Sequence, residues 1–153
     1  MESSTGIAFL DFDEKDRKLL LEAYIYIRPK FAEILDEFYD SLATLDAAPE
    51  NYGANRAKLK KYQQEHWRHL FQGTFDTSYE NTARRIAIRH MEIGLPQDLY
   101  ILSYLKILTL FSGVICGVPG IERRDAARMV DAVAKAIAID MMHAITPYTS
   151  EVV

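Results

Sequence analysis

Apolar residues recur every three or four positions along nearly the whole of this sequence, the spacing that places them on one face of an α-helix. No segment alternates apolar and polar residues over a length that would predict a β-strand. Glycine and proline are sparse, and most of them fall between the periodic segments. The sequence therefore predicts an all-α domain with helices over 14–27, 29–42, 56–72, 77–92, 96–116 and 122–145.

Local signals predict where some of these helices begin and end. Thr77 and Glu80 form a T-x-x-E capping box, which predicts a helix start at that point. A polar stretch over 44–55 is typical of a loop, and Pro147 is expected to terminate the last helix.

Composition excludes several classes of protein. The 153 residues are 49% hydrophobic, enough for a single folded domain spanning 1–153. A net charge of -4 gives no basic footprint for nucleic acid, and no apolar run predicts a membrane span. Cys116 is the only cysteine, so an internal disulfide is excluded. The acidic N-terminus lacks the pattern of a secretory signal, and we expect a cytoplasmic domain with neither nucleic-acid nor membrane partners.

The last predicted helix is apolar around most of its circumference between Ala126 and Ile145. Such a helix is buried on both sides. It is either the central helix of a single chain or one that packs against a second chain. We favour the second interpretation, a homodimer that associates through the last two helices.

Histidine offers the main candidates for chemistry. His66 and His69 lie three residues apart on one helix face and could hold a metal with Glu65, although a partly solvated amphipathic face is the interpretation that we favour. His143 lies late in the last helix, and we expect a structural or interfacial role. His90 lies among isoleucines near the end of its helix and is either a core residue or a ligand.

Tyrosine is abundant, with nine residues in the chain. Tyr39, Tyr62, Tyr100 and Tyr104 lie on otherwise apolar helix faces. A buried phenol needs a hydrogen-bond partner, either a backbone carbonyl or a bound ligand.

These residues together resemble a known family. The order of Phe38-Tyr39, then His66-Trp67, then His90-Met91-Glu92-Ile93-Gly94-Leu95, then Tyr100 is similar to that in the haem-binding sensor globin domain of bacterial globin-coupled sensors. The similarity covers about residues 30 to 145 and implies a globin fold of the sensor-globin variant.

The resemblance also implies roles for individual residues. His90 matches the proximal ligand of haem iron, and Tyr100 matches a tyrosine that contacts this histidine. Tyr39 matches the distal tyrosine, while Leu59 and Tyr62 match positions that face the haem. The implied cofactor is haem b, and the implied gas is O2, with CO and NO as further ligands. A phenol that donates to bound O2 favours it over the less polar CO.

The sequence departs from the family pattern at three positions. Tyr62 is larger and more polar than is usual there, so either Tyr39 or Tyr62 could be the main distal donor. Pro96 follows Leu95 directly, and Leu99 stands where tryptophan is common. Lys58, Lys61 and Arg89 are candidate partners of the haem propionates.

The resemblance implies a sensor without catalytic activity of its own. Members of the family usually continue into an output domain, and we expect the segment from Pro147 onward to begin a linker to such a domain. A stand-alone globin with nitric oxide dioxygenase or peroxidase activity is the alternative, although the sequence contains no flavin or nicotinamide fingerprint. A haemless signalling module of globin shape is a third possibility.

Overall fold

The computed structural model describes residues 2–46 and 55–150, and within these ranges it contains helices and no strand. The helices are α1 (Ser3–Phe9), α2 (Glu14–Ile27), α3 (Phe31–Ala43), α4 (Arg56–Leu70), α5 (Thr77–Glu92), α6 (Gln97–Cys116) and α7 (Arg123–Ser150), with a short 3-10 helix over Arg28–Lys30. The all-α prediction is confirmed. Residues 47–54 of the predicted loop lie outside the described residues.

The start of α5 corrects one sequence prediction. The cap is Asp76, whose side chain accepts a hydrogen bond of 2.9 Å from the backbone N–H of Tyr79. Thr77 is instead the first helical residue, and Glu80 accepts from the backbone N–H of Ser3 on α1. A carboxylate one position earlier takes the capping role because its oxygen reaches the same orphan donors.

The end of α7 corrects another. Pro147 lies inside this helix, which continues to Ser150. Proline removes one backbone hydrogen bond from a helix but does not oblige it to end. The Tyr148 hydroxyl donates to the carbonyl of Leu95 at 2.8 Å, which fastens the last turn of α7 to the connection between α5 and α6.

Helix α7 is the central element of the bundle. It packs against α1, α2, α5 and α6, and its buried residues include Ala132, Ala136, Ile137 and Ile139. Helix α1, which the periodicity analysis missed, packs closely against α7 at Gly6. A side chain at this position would place its Cβ 3.2 Å from the Ile139 side chain, so the close approach depends on glycine. The apolar circumference of α7 is therefore explained by packing within its own chain, and this helix by itself does not require a second chain.

Helix α6 is apolar on both faces but buried on one. Its inner face contributes Tyr104, Ile107 and Phe111 to the core, whereas Leu102 is 60% exposed and Leu105 is 45% exposed. Only 33% of the most apolar 18-residue segment of α6 is buried inside this chain. By length and composition α6 could cross a membrane, contrary to the sequence analysis, but its buried inner face belongs to the core of this helical bundle.

Candidate functional site

His90 lies in the last turn of α5 with one ring nitrogen already engaged. The helical turn brings the carbonyl of Ile86, four residues earlier, to 2.8 Å from Nδ1, so that Nδ1 carries the proton and donates it. Among the described residues no hydrogen bond to Nε2 is found. Burial lowers the pKa of His90 and favours the neutral imidazole that binds metals.

Tyr100 holds the His90 ring from one side. The two rings stack with centroids 4.7 Å apart and planes 13° from parallel. The contact requires α6 to start immediately after α5 and to turn back along it. Gly94 makes that turn possible, because its φ of 78° lies in the left-handed region that side chains disfavour.

Tyr39, on α3, is buried and belongs to a hydrogen-bonded chain that sequence reasoning did not find. The Trp67 indole N–H donates to Gln63 Oε1 at 2.9 Å, and Gln63 Nε2 donates to the Tyr39 oxygen at 2.7 Å. An indole nitrogen can only donate, which fixes the amide orientation of Gln63 and points its NH2 group at the phenol. Burial raises the pKa of Tyr39, so the phenol keeps its proton. The signal in the sequence was the i, i+4 spacing of Gln63 and Trp67.

The other two predicted distal residues lie differently. Tyr62 is 56% exposed, and the Lys58 ammonium lies 5.7 Å from the centroid of its ring. Leu59 is partly buried and packs against the core. The structure therefore places the Tyr39 phenol inside the molecule and the Tyr62 phenol at its surface.

A buried carboxylate, also missed by sequence reasoning, lies at the meeting point of four helices. Asp140 on α7 is 1% exposed and accepts hydrogen bonds from Tyr79 on α5 and, at 2.7 Å, from Tyr104 on α6. Its oxygens also lie 2.9 and 3.0 Å from Nε2 of His66 on α4. We call these four residues the Asp140 cluster.

The ionisation of the cluster follows from its contacts. Burial alone would raise the pKa of Asp140, but the charge and hydrogen bond of His66 and the two phenols outweigh it and lower that pKa. Burial alone would lower the pKa of His66, but the Asp140 carboxylate raises it. Burial and Asp140 together raise the pKa of Tyr79 and Tyr104, so both phenols donate.

The structure also places the histidines other than His90. His66 is more deeply buried than the partly solvated face that we favoured suggests, since its side chain is only 10% exposed, and it pairs with Asp140 rather than with His69. Within the described residues no group of three or more potential ligands could hold a metal ion. His143 is buried and its Nε2 lies 2.7 Å from the Ser3 hydroxyl, which confirms a structural role.

A family comparison assigns the chain. The family described as Protoglobin matches residues 4–152. The chain belongs to the protoglobin family. No curated protein matches the sequence significantly.

Solved structures confirm the globin fold of this protoglobin. The globin domain of the Geobacter sulfurreducens globin-coupled sensor superimposes with a TM-score of 0.84 at 21% identity, over 95% of this chain and 96% of that one. The globin domain of Escherichia coli DosC, in ferric and ferrous forms, gives a TM-score of 0.77 at 14% identity, over 93% of this chain and 96% of that one. The globin fold predicted from the sequence is thus confirmed.

A globin fold implies haem binding, and the donor set of this protoglobin fits that group. Haem iron takes a neutral imidazole whose other N–H is held by an acceptor. His90, with Nδ1 bonded to the Ile86 carbonyl, has this arrangement.

Proposed function

We propose that this domain is a haem-based gas sensor that binds O2 reversibly at ferrous haem b, with His90 as the proximal ligand. The observation that carries the proposal is the hydrogen bond from His90 Nδ1 to the Ile86 carbonyl, since it presents Nε2 as the metal-binding nitrogen. The protoglobin family and the globin domains of two sensors as structural neighbours support it.

On the proximal side, the residues of the chain hold the imidazole neutral and oriented. The Ile86 carbonyl keeps the proton at Nδ1, and the stacked Tyr100 ring limits rotation of His90. The haem, when bound, supplies the iron at which a diatomic gas binds.

On the distal side, we propose Tyr39 as the donor to the gas. Gln63 orients the phenol by donating to its oxygen at 2.7 Å, and the phenol O–H would donate to the bound gas. A hydrogen bond of this kind strengthens with negative charge on the acceptor, which favours O2 over CO. NO and CO are further ligands of the same site. Leu59 is proposed as an apolar wall, and the exposed Tyr62 as a residue outside the pocket.

We propose that the domain forms a homodimer in which α6 supplies the main surface. Leu102 and Leu105 expose apolar side chains one turn apart on the most apolar helix of the chain. Contiguous apolar surface of this kind is typical of protein interfaces. Helix α7 would contribute to the dimer interface only through the side chains that its own chain leaves exposed.

The remaining proposals follow from the sensor assignment. The domain is proposed to be non-enzymatic, cytoplasmic and linked covalently to an output domain in the full-length protein. Lys58, Lys61 and Arg89 remain the proposed propionate partners; Lys58 lies over Tyr62, and Arg89 forms a surface ion pair with Glu92.

The absorption spectrum tests the function directly. Purified protein supplied with haem is expected to show a Soret band that shifts on adding O2 to the ferrous form and returns when O2 is removed. A protein that takes up no haem would contradict the assignment. Rapid irreversible oxidation by O2 would contradict reversible binding.

A further inference from the structure

The Asp140 cluster places a negative charge where a globin core needs none for stability. Burying a carboxylate is costly unless donors surround it, and apolar residues of similar size often stabilise a core as well or better. Asp140 is 1% exposed, and its three partners come from three different helices. The cluster is therefore a candidate for a role beyond holding the core together.

One arm of the cluster leads to the proximal ligand. Tyr104 donates to Asp140 at 2.7 Å, and its ring centroid lies 5.4 Å from that of Tyr100. Tyr100 in turn stacks on His90 at 4.7 Å. We call Tyr104 and Tyr100 the proximal arm.

The other arm leads to the distal donor. His66 occupies α4 between Gln63 and Trp67, the two residues that orient the Tyr39 phenol. Because α4 is a continuous helix here, a shift of His66 displaces Gln63 and Trp67 with it. We call His66 and its stretch of α4 the distal arm.

An ionised carboxylate imposes one orientation on every partner. It can only accept hydrogen bonds, so Tyr104 and His66 must both donate to it. Each of these donors is thereby oriented toward Asp140, one at the start of each arm.

We propose that Asp140 is a positioning residue that sets the orientation of His90 and of Tyr39 from α7. This inference rests on the proposed haem function. The coupling is reciprocal. If a displacement of α7 changes the free energy of gas binding, then gas binding changes the free energy of that displacement by the same amount.

Conservative variants separate the two arms in the haem-loaded protein. Tyr104→Phe removes one hydroxyl from the proximal arm, and His66→Gln removes the imidazole from the distal arm. Tyr24→Phe is the matched control, because the Tyr24 ring on α2 stacks on Phe71 and its hydroxyl does not donate to Asp140. Thermal unfolding of each haem-free protein establishes which variants fold.

Resonance Raman and infrared bands provide the readout. Tyr104→Phe is expected to shift the iron–imidazole stretching band, and His66→Gln the stretching band of bound CO. His66→Gln is also expected to change the O2 dissociation rate by about two- to thirtyfold, the range typical of mutations along coupled networks. Tyr24→Phe is expected to move each band less than the variant of that arm does.

The outcomes are distinguishable. A wild-type protein without a Soret band contradicts the proposed function itself. A wild-type protein with normal haem, whose two bands are unmoved in both arm variants, overturns the role of Asp140 alone. Shifts in Tyr24→Phe as large as those of the arm variants also overturn it. If His66→Gln does not fold, Tyr104→Phe decides the proximal half by itself.

Discussion

Tyr100 lies flat against His90, with ring centroids 4.7 Å apart and planes 13° from parallel. A hydrogen bond from His90 Nδ1 to the Ile86 carbonyl restrains one edge of the imidazole, and the stacked Tyr100 ring restrains one face. An imidazole held in this way loses little freedom when it binds a metal, which is the advantage of a preorganised ligand.

Replacing His90 tests the ligand assignment. His90→Ala removes the nitrogen that binds iron, so the ratio of haem to protein is expected to fall close to zero, as measured by the Soret absorbance. His69→Ala, a change of another histidine away from the site, is expected to retain haem. Added imidazole should restore part of the Soret band in His90→Ala. Full haem retention by His90→Ala would assign the iron to another residue.

Replacing Tyr39 tests the distal donor. Tyr39→Phe deletes the phenol O–H, and we expect the O2 dissociation rate to rise about 10- to 100-fold, since a charge-assisted hydrogen bond contributes about 1.5–3 kcal/mol. Tyr62→Phe serves as the control and is expected to leave the rate unchanged, because that side chain is 56% exposed. The opposite pattern in stopped-flow measurements would transfer the distal role to Tyr62.

The pair of His66 and Asp140 predicts a pH dependence of stability. Asp140 raises the pKa of His66 above its ordinary value of 6.5, so the stabilisation is complete below pH 6.5 and is lost as the pH rises through the folded-state pKa. His90 and His143 act in the opposite sense, because burial lowers the pKa of each. The difference in unfolding free energy between wild type and His66→Gln therefore isolates the pair.

We expect this difference to shrink as the pH rises above 6.5, measured by urea denaturation of the haem-free protein. At acid pH it shrinks again, since the pKa of Asp140 is lowered and its contribution is lost as the carboxylate is protonated. A difference that is constant with pH would show that the pair carries no charge.

The exposed face of α6 predicts the oligomeric state. Wild type is expected to have twice the chain mass of 17.5 kDa by light scattering. Leu102→Glu with Leu105→Glu places two charges on this face and is expected to give a monomer. Ile25→Glu on α2, where the side chain is 67% exposed, is the control and should remain a dimer. A dimer that survives the double substitution would exclude α6 as the interface.

Several parts of the fold were predictable because their causes are local. The periodicity located α2, α4, α5 and α6 to within a few residues, since an apolar face repeats every three or four positions wherever a helix packs on a core. The short α1 escaped because its seven residues carry too little periodicity. The extension of α7 past Pro147 escaped because proline is a statistical terminator of helices rather than an absolute one.

The sequence by itself determined the longer helices, the globin family and the candidate histidine, because helix periodicity and the order of His90, Gly94 and Tyr100 are properties of the linear sequence. Only the tertiary structure decided that the Tyr39 phenol is buried and that the outer face of α6 is exposed. It also decided that the side chains of residues 66, 79 and 104 all contact the carboxylate of Asp140. The physical reason is separation: residues far apart in the chain on four helices meet only when those helices pack, and their hydrogen bonds leave no regular spacing to read.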